Sequence, residues 1–190
     1  MCCCSAHESP WRKGMPGLAE AEQLKFKTVG MHVHGIGGYY LYVADPTLPG
    51  NANLNLECLH LTLLDLQRRS TLPIEQNGLP RLPSELTIQV DGASDNKSQV
   101  VFMYAEWLVR MRVFASVVIS FLLVGHTHND ADQDFGPLTF TLRKRFIKQL
   151  PDYLEACRTA YKKPPQQVHH VQSVHDFVAW LKGIKACTPS

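Results

Sequence analysis

At 190 residues, with 45% apolar and 19% charged side chains, the chain has the composition of one folded globular domain rather than of a disordered polymer. A formal charge of +2 supplies no strong field for nucleic acid or for a membrane surface. The longest apolar run, Val113–Val124, is interrupted by Ser116 and Ser120 and falls short of the roughly 20 apolar residues that cross a bilayer. No apolar stretch follows Met1 that would serve as a secretory signal. The cysteines form no disulfide pattern: three are adjacent (Cys2, Cys3, Cys4), and Cys58, Cys157 and Cys187 are scattered without C-x-x-C spacing. A reducing, intracellular compartment, cytoplasmic or nuclear, is the expectation.

Residues 1–22 carry Pro10, Gly14, Pro16 and Gly17 without apolar periodicity and are expected to form a loose leader. Two strand-like runs follow, Lys25–His34 and Tyr39–Val43, and the Gly-rich turn between them predicts a hairpin. Asn51 or Asn53 can cap the next element, with Glu57 in its first turn, and Leu56, Leu59, Leu63 and Leu66 repeat at helical spacing over Leu54–Arg69. Leu86, Ile88 and Val90 alternate with polar residues, giving a strand that ends at Asp91.

A turn over 91–96 leads into a helix whose face is Val100, Tyr104, Trp107, Leu108 and Met111. Val113–Val124 is then apolar almost throughout, as expected of a strand covered on both faces. It stops at Gly125-His126-Thr127-His128, and a helix is predicted over Leu138–Leu150. Past Pro151 the sequence predicts a short helix, a break at Lys162–Pro165, and an amphipathic helix carrying Val174, Phe177, Val178, Leu181 and Ile184, with Ser173 and Asp176 as a capping pair. This element order argues for an α/β fold with a largely parallel part, in which the strand ends at Asp91 and Gly125 share one carboxyl edge, where ligands of such sheets bind.

Five polar side chains, His126, His128, Asp130, Asp132 and Asp134, follow the apolar strand within nine positions. Imidazole with carboxylate suits Zn²⁺, Mn²⁺ or Fe, whereas carboxylates alone suit Mg²⁺. The competing explanation is that loops are polar because they are wet; His126 and Asp132 are the strongest candidates, and Asp134 reads as solvated. Asp91 alone would be a turn aspartate before Gly92; its interest comes from sharing an edge with the histidine cluster. Asn96 suits a helix cap or a ligand contact, and Lys97 a solvated position or a phosphate contact. His32 and His34 fall on one side of a strand, without a partner carboxylate nearby in sequence. His169 and His170 read as surface residues. Arg143, Lys144, Arg145 and Lys148 form a basic stripe that fits either the wet face of a helix or a weak nucleic-acid contact.

The segments Leu86–Gly92, Asn96-Lys97-Ser98 and Ser120–Asp132 carry a resemblance. They resemble a eukaryotic family of unknown function with a Q-x-D-N … N-K-N pattern followed by F-L-x-V-G-H-T-H-x-D-x-D. Its members look transposon-derived, and the domain is similar to the ribonuclease H-like core of DDE-type transposases and integrases. The match spans roughly Phe26 to Leu150, with Phe177–Leu181 similar to a motif beyond the core.

The resemblance implies a ribonuclease H-like mixed sheet flanked by helices. Asp91 and Asp132 would be catalytic, His126 and His128 further metal ligands, and Asn96, Lys97 and Asp130 supporting residues. Mg²⁺ or Mn²⁺ would be the cofactor and DNA the partner. On that reading residues 1–22 are the leader, 23–150 the core without its first strand, and 151–190 a helical appendage. Departures from the pattern are Gly92, Ser98 and Asn129, and the first carboxylate, expected before Phe26, finds only the ill-placed Glu20 and Glu22 in a reading frame that looks clipped. Little or no nuclease activity is expected.

Two other readings stand beside it. Gly125-His126-Thr127-His128 also resembles the last metal-binding motif of metallophosphoesterases, whose other motifs are absent. A non-catalytic interaction module could instead use Phe177 and Trp180.

Overall fold

A computed structural model describes residues 2–8, 26–35, 38–73, 82–90, 97–121, 130–163, 165 and 167–186. Its elements run β1 (Cys2–Glu8), β2 (Lys27–His32), β3 (Tyr39–Ala44), α1 (Ala52–Arg69), β4 (Glu85–Val90), α2 (Gln99–Arg110), β5 (Ser116–Phe121), α3 (Asp130–Lys144), α4 (Leu150–Thr159), β6 (Gln167–Val171) and α5 (Phe177–Ala186). The class is mixed α/β, as the sequence predicted.

One six-stranded sheet has the order β5-β4-β1-β2-β3-β6. β2 pairs antiparallel with β1 and with β3, the latter being the predicted hairpin. The β1–β4, β4–β5 and β3–β6 pairs are parallel. Alternation along each strand sends side chains to two cores. Val29, Met31, Tyr40, Tyr42, Leu86 and Ile88 pack with α1, α2 and α5 on one face. Leu41 and Val43 pack with Phe26, Phe135, Leu138, Tyr153 and Cys157 on the other, under α3 and α4.

Local chemistry explains several boundaries. Asn51 caps α1 as predicted, its Oδ1 accepting from the backbone N–H groups of Asn53 (3.1 Å) and Leu54 (3.4 Å). Gly30 is required where α3 crosses β2, because a Cβ there would lie 3.0 Å from the Phe135 ring and 2.7 Å from Tyr39 Oη. Thr28 and Tyr153, both fully buried, join their hydroxyls at 2.8 Å and so fasten α4 to β2.

The structure departs from the sequence reading in five places. Residues 2–8, expected in a loose leader, form β1 in the middle of the sheet. The segment after Pro151 is no appendage: β6 extends the sheet beyond β3, and Phe177 and Leu181 of α5 join the main core. β5 is an edge strand rather than one buried on both faces. Val117, Ile119 and Phe121 turn to the core while Val118, 55% exposed, faces outward.

The helix predicted over Leu138–Leu150 instead starts at Asp130 and ends at Lys144, and α4 begins at Leu150 behind Pro151, a residue favoured in the first helical turn. Finally, Ser173 is not the cap of α5. Asp176 takes that role, its Oδ1 accepting from Ala179 N–H at 3.0 Å.

Candidate functional site

The predicted centre divides between described and undescribed residues. Asp91, Asn96, His126 and His128 lie outside the described residues, and of Asp130 and Asp132 only the helical backbone at the start of α3 is described. What the fold does supply is the frame. β4 and β5 run parallel and side by side, with Val90 paired to Phe121, so the described parts of both strands reach the same level. Asp91 follows the first directly in sequence, and the His126–Asp132 stretch lies between the second and the beginning of α3.

The third neighbour at this level is β1, whose Cys2 pairs with Gln89. Its sequence is Cys2-Cys3-Cys4-Ser5-Ala6-His7-Glu8. Glu8, a carboxylate that the sequence reading passed over, is opposite Lys27 at the far end of the strand. Six further residues at about 3.3 Å each put it roughly 20 Å along β1 from the level of Gln89. Thus β1 brings no acidic residue beside the end of β4.

Lys97 is exposed, with its ammonium 5.9 Å from the Phe121 ring centroid, a contact that ties the start of α2 to the end of β5. Asp134 is not simply solvated. Its Oδ2 accepts from His32 Nδ1 at 2.8 Å with both side chains about three-quarters covered, so His32 has a carboxylate partner brought from α3. His34 stacks on His32 at 4.7 Å. Among the described residues no group of three or more His, Cys, Asp or Glu is disposed to hold a metal ion.

The four cations of the basic stripe are accompanied by two aromatic rings. Arg143, Lys144, Arg145 and Lys148 are all exposed at the end of α3 and in the turn before α4. Two aromatic rings stand out among them, Phe140 at 60% and Phe146 at 61% exposure. Lys144 Nζ lies 3.7 Å from the Phe140 centroid and Lys148 Nζ 5.4 Å from that of Phe146. Each ring thus carries a lysine ammonium over one face, and cations and aromatic rings alternate along this exposed segment. The sequence reading named the cations but not the phenylalanines, because an apolar residue in a helix is expected to face the core.

His169 and His170 lie on β6 and are partly covered rather than on an open surface. Burial holds the His169 imidazole below its usual range, with neighbouring His170 adding to the effect. No described helix is long and apolar enough to cross a membrane.

Comparison with known proteins adds one positive result. The profile of a family described as a domain of unknown function (DUF7869) matches residues 16–188. No curated protein and no solved structure matches. β1 therefore lies ahead of the matched stretch, whereas every other element begins within it.

Proposed function

The chain belongs to the DUF7869 family, and from that premise we propose that it is a transposon-derived, ribonuclease H-like domain whose metal-dependent nucleic-acid site is degenerate. The sheet carries this reading. Three antiparallel strands, β3-β2-β1, continued by two parallel ones, β4-β5, with β6 outside them, make a mixed sheet flanked by helices, and a sheet of that class is what the resemblance implies. Asp91 succeeds the strand next to β1, and Asp132 lies on the helix that follows β5, as the second and third acidic groups of such a site would.

The donor set Asp91, His126, His128 and Asp132 has oxygen and nitrogen ligands in a mix that suits Mn²⁺ better than Mg²⁺. Bound there, an ion would act as a Lewis acid on a phosphate oxygen. Asn96 and Asp130 would orient ligands, and Lys97 would offer charge to a phosphate. A two-ion clamp needs several carboxylates within a few ångström, and β1 contributes none at this level. Binding of nucleic acid therefore outlasts its cleavage in this reading. Arg143, Lys144, Arg145 and Lys148, with Phe140 and Phe146, provide the contact surface.

The test is titration of Mn²⁺ into the protein and into Asp91→Ala, followed calorimetrically, beside a nicking assay on supercoiled DNA. Weak Mn²⁺ binding that falls tenfold or more in the variant, with nicking close to background, is the expected result. Unchanged Mn²⁺ binding in Asp91→Ala would remove Asp91 from the site. Robust nicking that depends on Asp91 would show that the site is intact rather than degenerate.

A further inference from the structure

On the sheet face away from α3 and α4, a cavity of about 390 Å³ opens where α1, α2 and α5 converge. It is lined by His60, Trp107, His175, Asp176, Phe177 and Trp180. The volume falls in the range of small-ligand pockets.

Its walls are aromatic and set at steep angles. Trp107 and Trp180 meet at 69° with centroids 5.0 Å apart, and Phe177 and Trp180 at 70° and 6.0 Å. Phe177 is buried and forms part of the floor, braced edge-on by Tyr104, while Trp180, 42% exposed, stands at the rim. Three aromatic side chains from two helices thus border one volume.

The polar groups decide the sign of the ligand. Asp176 lines the cavity as a carboxylate, and no lysine or arginine among the described residues does. The nearby Arg110 of α2 is occupied by Glu106 at 2.8 Å. Behind His175 stands Glu57, a carboxylate only 4% exposed, whose Oε2 accepts from both the backbone N–H (3.0 Å) and Nδ1 (2.7 Å) of that histidine. His60 is hydrogen-bonded to Tyr104 through Nδ1, and burial lowers its pKa, which favours the neutral ring. Aromatic faces attract cations through their quadrupoles, and they do so best when the cation carries an apolar envelope that loses little hydration. An anion would meet the Asp176 carboxylate, which repels it.

We propose that this cavity binds a methylated ammonium group, carried either by a small molecule such as choline or by a methylated lysine of a partner chain. Trp107 and Trp180 supply the walls, Phe177 the floor and Asp176 the counter-charge. The site is separate from the nucleic-acid reading and does not depend on it.

The experiment titrates choline into the full chain while following tryptophan fluorescence, with 3,3-dimethylbutanol as the neutral isostere in which carbon replaces the charged nitrogen. Choline should bind at least tenfold more tightly than the alcohol. Equal affinities would mean an apolar hollow without cation selectivity and would overturn the proposal, as would the absence of any response to choline. Trp180→Leu should abolish choline binding. Because that change touches packing, Asp176→Asn is the second variant: its amide Oδ1 can still accept from Ala179 and Asn53, so α5 keeps its cap while the charge disappears.

A several-fold loss of choline affinity in Asp176→Asn with an unaltered circular-dichroism spectrum supports the assignment. Unaltered affinity in that variant refutes the role of Asp176. A trimethyllysine peptide compared with its unmethylated form separates the two sources. Tighter binding than choline identifies a protein partner, and parity identifies a free ammonium compound.

Discussion

Replacing Lys144 and Lys148 together by alanine tests the nucleic-acid surface where the structure is most explicit. Both side chains are exposed, and each covers an exposed phenylalanine ring, so the double substitution should leave stability within about 0.5 kcal/mol of the parent. Its effect on binding follows from counterion release. On a single strand each neutralised phosphate adds about −0.7 to the slope of log K against log salt. Contacts from Arg143, Lys144, Arg145 and Lys148 thus imply a slope of about −2.8, and loss of two lysines about −1.4.

Between about 50 and about 200 mM salt the parent should weaken roughly fiftyfold and the variant only about sevenfold. Fluorescence anisotropy with a labelled oligothymidylate measures both slopes. Phe140→Ala and Phe146→Ala supply the complement. If bases stack on these rings, each substitution should weaken binding by about 1–3 kcal/mol while the salt slope stays unchanged. Equal salt slopes in parent and double-lysine variant would refute the assignment of this surface. So would binding to anionic vesicles with the same residue dependence and none to the oligonucleotide.

Other consequences follow from the buried groups. Tyr153→Phe leaves the buried Thr28 hydroxyl without its 2.8 Å partner and should destabilise by about 1–3 kcal/mol in urea unfolding. Adding Thr28→Val should recover part of that loss, and a strictly additive double variant would show that the two hydroxyls are not coupled. Burial keeps His60 and His169 below the ordinary imidazole range, so near pH 6.5 the unfolded chain binds protons that the folded one does not. Stability should therefore be fullest above that pH and fall as pH drops through the folded values. His60→Asn or His169→Gln should flatten the profile, and a melting temperature indifferent to pH in the parent would contradict the assignment.

Cys58 and Cys157 are fully buried, and burial pushes the Cys157 thiol up to about 12 and that of Cys58 well above its usual value. Peptide mapping after iodoacetamide treatment at about pH 8 should find both unlabelled until denaturant is added. Rapid native labelling of either would mean that its core opens locally.

Periodicity made α1, β4 and α2 legible in the sequence, and the Gly-rich turn between two strand-like runs did the same for the hairpin. It misjudged β5, since an apolar run does not say how many neighbours a strand has. Ser116 and Ser120 were the available hint that one face is less demanding. β1 was invisible because three cysteines, a serine and an alanine alternate in nothing, and its place follows only from pairing with β2 and β4. β6 was hidden by its polar histidines.

The metal centre was proposed from short-range composition and resemblance, and the fold supplies for it the shared level of β4 and β5. The aromatic cavity was only half legible. Phe177 and Trp180 were noticed on their helix, but Trp107 and His60 come from two other helices, and convergence across three elements leaves no local signature. The same holds for the Glu57–His175 pair: a first-turn acid was expected to serve the helix dipole, and instead it is sealed beneath α5.

The strand that borders β3 is the last of the described strands, and this sets a timetable for synthesis. The outer margin of Tyr39–Ala44 leaves the ribosome early with its amide and carbonyl row uncovered, and it stays so until Gln167–Val171 is translated. During that interval the nascent hairpin is a template for any passing extended segment. A chaperone that shields this margin, or slow concentration of the nascent chain, should raise the yield of native protein more than any change to the finished core.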